Sequence, residues 1–194
     1  MTRLVVIGPS GSGKTRLSAR VAELLDARHV EIDALWHCPN WESCGAEELL
    51  RRVSAATEGD DWVCDGTYHT IIGDLVLERA ETVAWLDLPA WLVMWRLVRR
   101  SWVRKRDKVE LWNGNVEDDW LNQIRWLMWP AFKRVFENRR RLPEHLARHP
   151  QLEVHRLRSD AEVEAFVQSI QATASMSGSS NGSERQKTPP LAET

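Results

Sequence analysis

Eight consecutive residues near the start of the chain have the residue types and spacing of a phosphate-binding loop. Residues 8–15, GPSGSGKT, fit the pattern G-x-x-x-x-G-K-[ST] at every position. Glycine lets successive backbone N–H groups turn toward one anion, which a Cβ would obstruct. Lys14 could then reach the β- and γ-phosphates of a nucleoside triphosphate, and the Thr15 hydroxyl could bind Mg²⁺. The predicted cofactor-binding residues of this phosphate loop are Gly8, Ser10, Gly11, Ser12, Gly13, Lys14 and Thr15.

Acidic side chains stand directly after three apolar runs, where the strands of a parallel sheet would end and where ligands bind. We interpret Asp65 as the carboxylate associated with Mg²⁺, with a turn-forming role as the alternative. Asp33 is predicted to orient or deprotonate an acceptor hydroxyl, with helix capping as the alternative. We interpret Asp87, which precedes a Leu-Pro pair, as a turn residue.

Residues 96–108, here called the basic segment, contain seven basic residues and one acid. Arg96, Arg100 and Arg104 recur every four residues and therefore share one face of a helix. Arginines that close over a transferring phosphoryl group stabilise its spread charge, whereas a solvated surface is the alternative interpretation. The same helix carries three tryptophans on another side that we expect to pack inward, namely Trp91, Trp95 and Trp102.

Alternating strand-like and helix-like patterns must position these groups. The predicted strands are residues 4–7, 30–32, 62–64, 82–86 and 152–157, and the clearest predicted helices are 14–25, 46–57 and about 161–170. Ser159 or Asp160 would cap the last of these helices. This alternation predicts an α/β fold with a parallel sheet covered on both faces.

Length and composition indicate one domain, because 194 residues suffice for a sizeable core. The net charge of −2 gives no general reason to expect nucleic-acid binding, and no apolar run is long enough to span a membrane. The three cysteines lack a C-x-x-C spacing and no secretion signal precedes the first strand, so we expect a cytoplasmic location. Residues 1–171 form the predicted domain. Residues 172–194 have almost no large apolar side chain and are predicted to be a disordered tail.

The phosphate loop, the Asp65-Gly66 pair and the sequence DLP followed by a helix with Arg96 and Arg100 resemble the adenylate-kinase group of kinases. More narrowly, the stretches EIDALWHCPNW, WVCDGTYH and VAWLDLPAWLVMWRLVRR resemble the DNA topology modulation proteins, a branch of that group. The resemblance covers roughly residues 3–170. It implies a three-layer α/β/α P-loop NTPase fold with a five-stranded parallel sheet, and a mobile lid over ATP.

The resemblance also implies roles for particular positions. Arg96 would lie against the adenine, Arg100 would contact phosphates, and Asp65 would be the aspartate associated with Mg²⁺. Residues 34–61 would form the acceptor-binding region and residues 101–118 the lid. Further positions implied are Arg125 and Arg134, as weaker candidates for closing on the transferred phosphate, and the turn 158–160, beside the adenine.

One departure from adenylate kinases concerns the acceptor. They follow the aspartate-glycine pair with a proline and an arginine that holds the acceptor's phosphate, whereas this chain continues Thr67-Tyr68-His69. A nucleoside monophosphate acceptor is therefore not favoured, and Tyr68 and His69 could contact a different acceptor. The leading hypothesis is an ATP- and Mg²⁺-dependent kinase that acts on a small-molecule or nucleotide-like acceptor. The alternatives are a nucleotide-dependent regulator linked to DNA topology, through the basic segment and residues 139–141, and an ATP-binding protein with weak ATPase activity only.

Overall fold

Five parallel strands form the sheet around which the chain is built. The computed structural model describes residues 2–107, 111, 113, 132–133, 135–137 and 139–181. The strands are β1 (Thr2–Ile7), β2 (Arg28–Glu31), β3 (Asp61–Asp65), β4 (Thr82–Leu86) and β5 (Glu153–Leu157). They lie in the order β2-β3-β1-β4-β5 and every pair is parallel. This confirms the predicted parallel sheet.

Helices follow the strands and cover the sheet. They are α1 (Lys14–Leu25), α2 (Ile32–Trp36), α3 (Ala46–Ala56), α4 (His69–Ile72), α5 (Leu75–Arg79), α6 (Ala90–Arg106), the helical residues 139–146 (α7) and α8 (Asp160–Asn181). A 3₁₀ turn, Pro39–Trp41, lies between α2 and α3. The bounds of α1 and β4 are those predicted. None of the described helices combines the length and the apolar composition needed to cross a lipid bilayer.

Two hydrophobic clusters on opposite faces of the sheet make the fold three-layered. On one face, Leu17 and Val21 of α1 and Phe166 of α8 pack with Leu4 and Val6 of β1. The other face buries residues of α3, α5 and α7 against the sheet, namely Leu49, Val53, Val76, Leu77 and Leu146 with Trp62 and Trp85. The strands are apolar on both faces because both are covered, as a parallel sheet requires. The α/β fold class predicted from the sequence is therefore confirmed.

The expected inward packing of the α6 tryptophans is wrong. Trp91, Trp95 and Trp102 are 72%, 58% and 49% exposed, respectively. The buried face of α6 is instead formed by Val93, Leu97 and Ser101, which recur every four residues on a different side. Cations cover part of the exposed rings. The Arg99 guanidinium lies 5.7 Å from the ring centroid of Trp95, and that of Arg106 lies 4.9 Å from Trp102.

The last helix is longer than predicted. Ser159 caps it, since its hydroxyl accepts the backbone N–H of Glu162 at 3.2 Å, as the sequence led us to expect for Ser159 or Asp160. The helix then continues past the predicted end near residue 170 to Asn181. The hydroxyls of Thr173 and Ser175 bond carbonyls four residues earlier. Residues 182–194 of the predicted tail lie outside the described residues.

Residues 101–106 of the predicted lid continue α6, and most of residues 108–118 lie outside the described residues. Val135, which follows the predicted lid in the sequence, is buried against Leu88 and Val93.

Candidate functional site

The phosphate loop connects β1 to α1, and α6 lies directly against it. Gly11 has a φ of +85°, and a Cβ there would come within 2.8 Å of the Val93 carbonyl oxygen. At Gly8 a Cβ would lie 2.7 Å from the Ser12 Oγ. A larger residue at either position would force the loop away from its neighbours, so glycine is required for this close approach.

The loop ends where α1 begins. Gly13, with a φ of +97°, is the N-cap of α1 and supplies no side-chain cap. The first turn of α1 holds no acidic side chain, and Lys14 is its first residue. Backbone N–H groups and the positive end of the helix dipole therefore combine with one ammonium group beside the loop, an arrangement suited to bound phosphate.

Asp65 lies at the carboxyl end of β3, beside the first turn of α1. The residue is only 5% exposed, and its Oδ2 accepts a hydrogen bond from the Thr15 hydroxyl. Its Oδ1 is buried, with no hydrogen-bond partner among the described residues. A buried carboxylate oxygen beside a hydroxyl provides the hard oxygen ligands that Mg²⁺ prefers, so Thr15 and Asp65 fit this cation.

Burial dominates the electrostatics of this carboxylate. It raises the pKa of Asp65 above the ordinary value, because the charged form loses hydration. The Lys14 ammonium and the Thr15 hydrogen bond act in the opposite direction, while the nearby charge of Asp33 adds to the rise. The pKa of Asp65 is raised overall, because the nearby positive charge and the hydrogen bond do not offset the loss of hydration.

Asp65→Asn is expected to remove the stabilisation that Mg²⁺ and ATP give to the folded protein. At about 100 times its Kd, a ligand that binds only the folded state stabilises it by about 2.7 kcal/mol, equivalent to roughly 5–10 °C in Tm. We expect this rise in the wild type and almost none in the variant, measured by thermal unfolding.

The nucleotide-free proteins should differ in their pH dependence. Because the folded pKa of Asp65 is raised, the folded state holds its proton more tightly than the unfolded chain. This group therefore costs the wild type stability as pH rises from about 3.8, the ordinary Asp value, through the folded pKa. The Tm of Asp65→Asn relative to wild type should accordingly increase over that range. A difference in Tm between the two proteins that stays constant over this range would contradict the raised pKa of Asp65.

The second predicted carboxylate lies at the same edge of the sheet. Asp33 lies in the first turn of α2, and its Oδ1 accepts a hydrogen bond from the Tyr68 hydroxyl. Tyr68 has a φ of +46°, and its ring centroid lies 6.1 Å from that of Trp36. The N-cap of α2 is Glu31, so Asp33 does not take the capping position considered as an alternative. The structure therefore brings Asp33, Asp65 and Lys14 together.

Arginines of α6 lie on another side of the phosphate loop. Arg96 Nη1 donates to the Ser12 carbonyl at 3.4 Å, and its Nη2 contacts both carboxylate oxygens of Asp160 at 2.6 and 2.7 Å. This pair brings the turn 158–160 beside the loop. A cavity of about 300 Å³ is lined by Arg96, Arg99, Arg100, Val103 and Arg104. Arg125 and Arg134 lie outside the described residues.

Asp87, interpreted from the sequence as a turn residue, has partners that its local sequence does not identify. This aspartate is buried, and its Oδ1 accepts from Arg139 Nε at 2.6 Å. Its Oδ2 accepts from Arg156 Nε and Nη2 at 2.9 and 2.7 Å. Asp87 therefore connects the end of β4 to α7 and β5 through ion pairs. The local signal was an acid beside buried residues, which predicts a cationic partner but does not identify it.

No protein-family model matches the chain, and no curated protein sequence is similar to it. Among solved structures, the chain is similar to a gluconokinase from Sinorhizobium meliloti 1021, with a TM-score of 0.50 and 14% identity over 95% of this chain and 98% of that one. It is also similar to a shikimate kinase from Bacteroides thetaiotaomicron, with a TM-score of 0.52 and 15% identity over 90% of this chain and 98% of that one. The chain therefore has the fold of P-loop kinases.

Proposed function

We propose that the protein is a kinase that transfers the γ-phosphoryl group of ATP to a hydroxyl of a small-molecule acceptor, with Mg²⁺. The observation that carries the proposal is the Thr15–Asp65 pair beside the phosphate loop, with a buried carboxylate oxygen that lacks a partner among the described residues. Two structures that share the fold bear the names gluconokinase and shikimate kinase, which supports a small-molecule acceptor.

Each part of the site has a role in this proposal. The amides of the phosphate loop and Lys14 bind the polyphosphate, and Thr15 and Asp65 would hold Mg²⁺. Bound Mg²⁺ supplies positive charge that neutralises the phosphate oxygens. Arg96 and Arg100 line the basic cavity beside the loop, where they would hold the nucleotide and stabilise the charge of the transferred group.

Asp33 is the proposed acceptor-side group. Tyr68 donates its hydroxyl to Oδ1, which fixes the orientation of the carboxylate. Asp33 would then accept the proton of the attacking hydroxyl as the new O–P bond forms and the bond between the γ-phosphorus and ADP breaks. Residues 34–61 would supply the remaining contacts to the acceptor.

The finer assignments rest on the sequence. We place the chain in the adenylate-kinase-like group, closest to the DNA topology modulation branch, because of the stretches quoted above. Residues 1–171 would form the catalytic domain with a lid at about 101–118, and the three cysteines, which are free, suit a cytoplasmic location. Direct DNA contact is not proposed, because Arg139 of the run 139–141 is engaged with Asp87.

The proposal predicts that an acceptor increases ATP turnover and that Asp33 is needed for this increase. A panel of hydroxylated metabolites should contain a compound that raises ADP release above the background. With that compound, Asp33→Asn should lower kcat about 10²- to 10⁴-fold while the KM for ATP changes little. Tyr68→Phe should have a smaller effect of the same kind.

Asp26→Asn is the matched control, since Asp26 follows the far end of α1 and its left-handed backbone tolerates asparagine. Its kcat should equal that of the wild type. If no compound raises turnover above the background, the kinase assignment fails.

A further inference from the structure

Asp74, His145 and His149 form a cluster on the face of the sheet covered by α5 and α7. His145 Nε2 lies 2.9 Å from Asp74 Oδ1, and His149 Nε2 lies 3.3 Å from Asp74 Oδ2. One nitrogen or oxygen atom from each residue lies within 4.8 Å of the other two. The cluster shares no residue with the candidate kinase site, which is built from the phosphate loop, Asp33, Asp65, Tyr68 and α6.

The fold places these three side chains firmly. Asp74 is the N-cap residue of α5 and follows Gly73, whose φ is +63°. His145 lies in the last turn of α7, and His149 lies in the turn that follows the helix, where its backbone N–H donates to the Leu146 carbonyl at 3.0 Å. Leu146, between them, is buried in the same core cluster as Val76 of α5. The segments that carry the imidazoles and the carboxylate are therefore packed against the same core.

The hydrogen bonding of the cluster is incomplete. His149 has hydrogen-bond geometry toward Asp74, although at 3.3 Å the bond is long. His145 Nε2 is buried and lies 2.9 Å from Asp74 Oδ1, but it makes no hydrogen bond among the described residues. A buried ring nitrogen without a hydrogen bond is costly unless a further partner satisfies it.

We propose that Asp74, His145 and His149 bind a divalent transition-metal cation of the Zn²⁺ type. Two imidazole nitrogens and one carboxylate oxygen are a common ligand set for Zn²⁺, whereas Mg²⁺ and Ca²⁺ prefer sites made of oxygen. Water could complete a tetrahedral shell. His69 is also near, with its ring centroid 5.6 Å from that of His145.

The bound cation would connect two segments that are distant in sequence. Asp74 caps α5, and the two histidines lie at and just after the carboxyl end of α7. Arg139 of α7 bonds Asp87, which follows β4. A metal at Asp74 would therefore fix the carboxyl end of α7, while Asp87 holds the same helix at Arg139. The role that follows is structural, and it does not depend on the proposed kinase activity.

The test is a calorimetric titration of the nucleotide-free, chelator-treated full chain with Zn²⁺ alone. We expect one Zn²⁺ per chain at the cluster and a rise in Tm, and we expect that Mg²⁺ does not displace this Zn²⁺. Asp74→Asn, His145→Gln and His149→Gln should each weaken Zn²⁺ binding at least 10-fold, while their circular dichroism stays that of the wild type.

Two controls address other zinc ligands. His155→Gln changes a histidine that pairs with Glu153 on β5, and Cys38→Ser with Cys44→Ser removes two thiols. Both proteins should bind Zn²⁺ like the wild type. The proposal is overturned if the wild type does not bind Zn²⁺, if the three cluster variants bind as tightly as the wild type, or if the thiol variant loses binding.

A second measurement needs no variant. In the ¹⁵N-labelled wild type, Zn²⁺ should shift the imidazole nitrogen resonances of His145 and His149 and leave those of His155 unchanged. Unshifted signals from the two cluster histidines at saturating Zn²⁺ would equally overturn the proposal.

Discussion

Replacing Lys14 with alanine is expected to lower acceptor-stimulated ADP release about 10²- to 10³-fold, the usual effect of removing one group that stabilises transition-state charge. Lys14 is the first residue of α1, and its charge acts on Asp65 in the same site. Loss of the ammonium group leaves the backbone amides to hold the polyphosphate alone. The measurement is a coupled assay of ADP release with and without the acceptor.

The fold should survive this substitution, because alanine is the most favourable residue in a helix. Arg20→Ala is the matched control: it removes a cation from the same helix, where Arg20 pairs with Glu164 of α8 at the surface. Its turnover should equal that of the wild type. Full activity of Lys14→Ala would falsify the assignment of the phosphate loop.

Asp87→Ala is expected to lower the free energy of unfolding by about 2–3 kcal/mol, which corresponds to roughly 5–10 °C in Tm. The substitution removes charged hydrogen bonds to two arginines and leaves Arg139 and Arg156 without their buried anion. Both guanidinium groups are partly exposed, so water can reach them, and the loss is smaller than for a fully buried pair. Urea and thermal unfolding would measure it.

One further variant separates charge from packing, and another is a control. Asp87→Asn keeps the shape of the side chain and should lose less stability than Asp87→Ala. Asp60→Ala replaces an exposed aspartate before β3 and should change Tm by no more than a degree or two. If Asp87→Ala unfolds at the wild-type temperature, the two ion pairs contribute nothing to the fold.

The parts that could be predicted from sequence are those whose determinants are local. The phosphate loop is contiguous in sequence, and the spacing of its glycines, Lys14 and Thr15 is enough to identify it. The strands are short apolar runs, and their common direction follows from the helices between them. Asp33 and Asp65 could be placed near each other because both follow strands of one parallel sheet.

The parts that could not be predicted depend on contacts between distant residues. Asp87 meets arginines that are 52 and 69 residues away, and no pattern around it indicates which of the chain's cations it selects. The α6 tryptophans were assigned by residue type, yet the rotation of a helix is set by the surface it meets. Val93 and Leu97 meet the phosphate loop, which leaves Trp91 and Trp95 in solvent.

The order of strands in the sheet has a consequence for synthesis on the ribosome. β5 pairs with β4 in register from Thr82–Glu153 to Leu86–Leu157, so one edge of the sheet is completed by a strand made about seventy residues later. Until β5 emerges, a nascent chain keeps the backbone groups of that edge of β4 unpaired and Asp87 without Arg156. Such an edge can recruit strands from other chains, so translation stalled before β5 would favour aggregation.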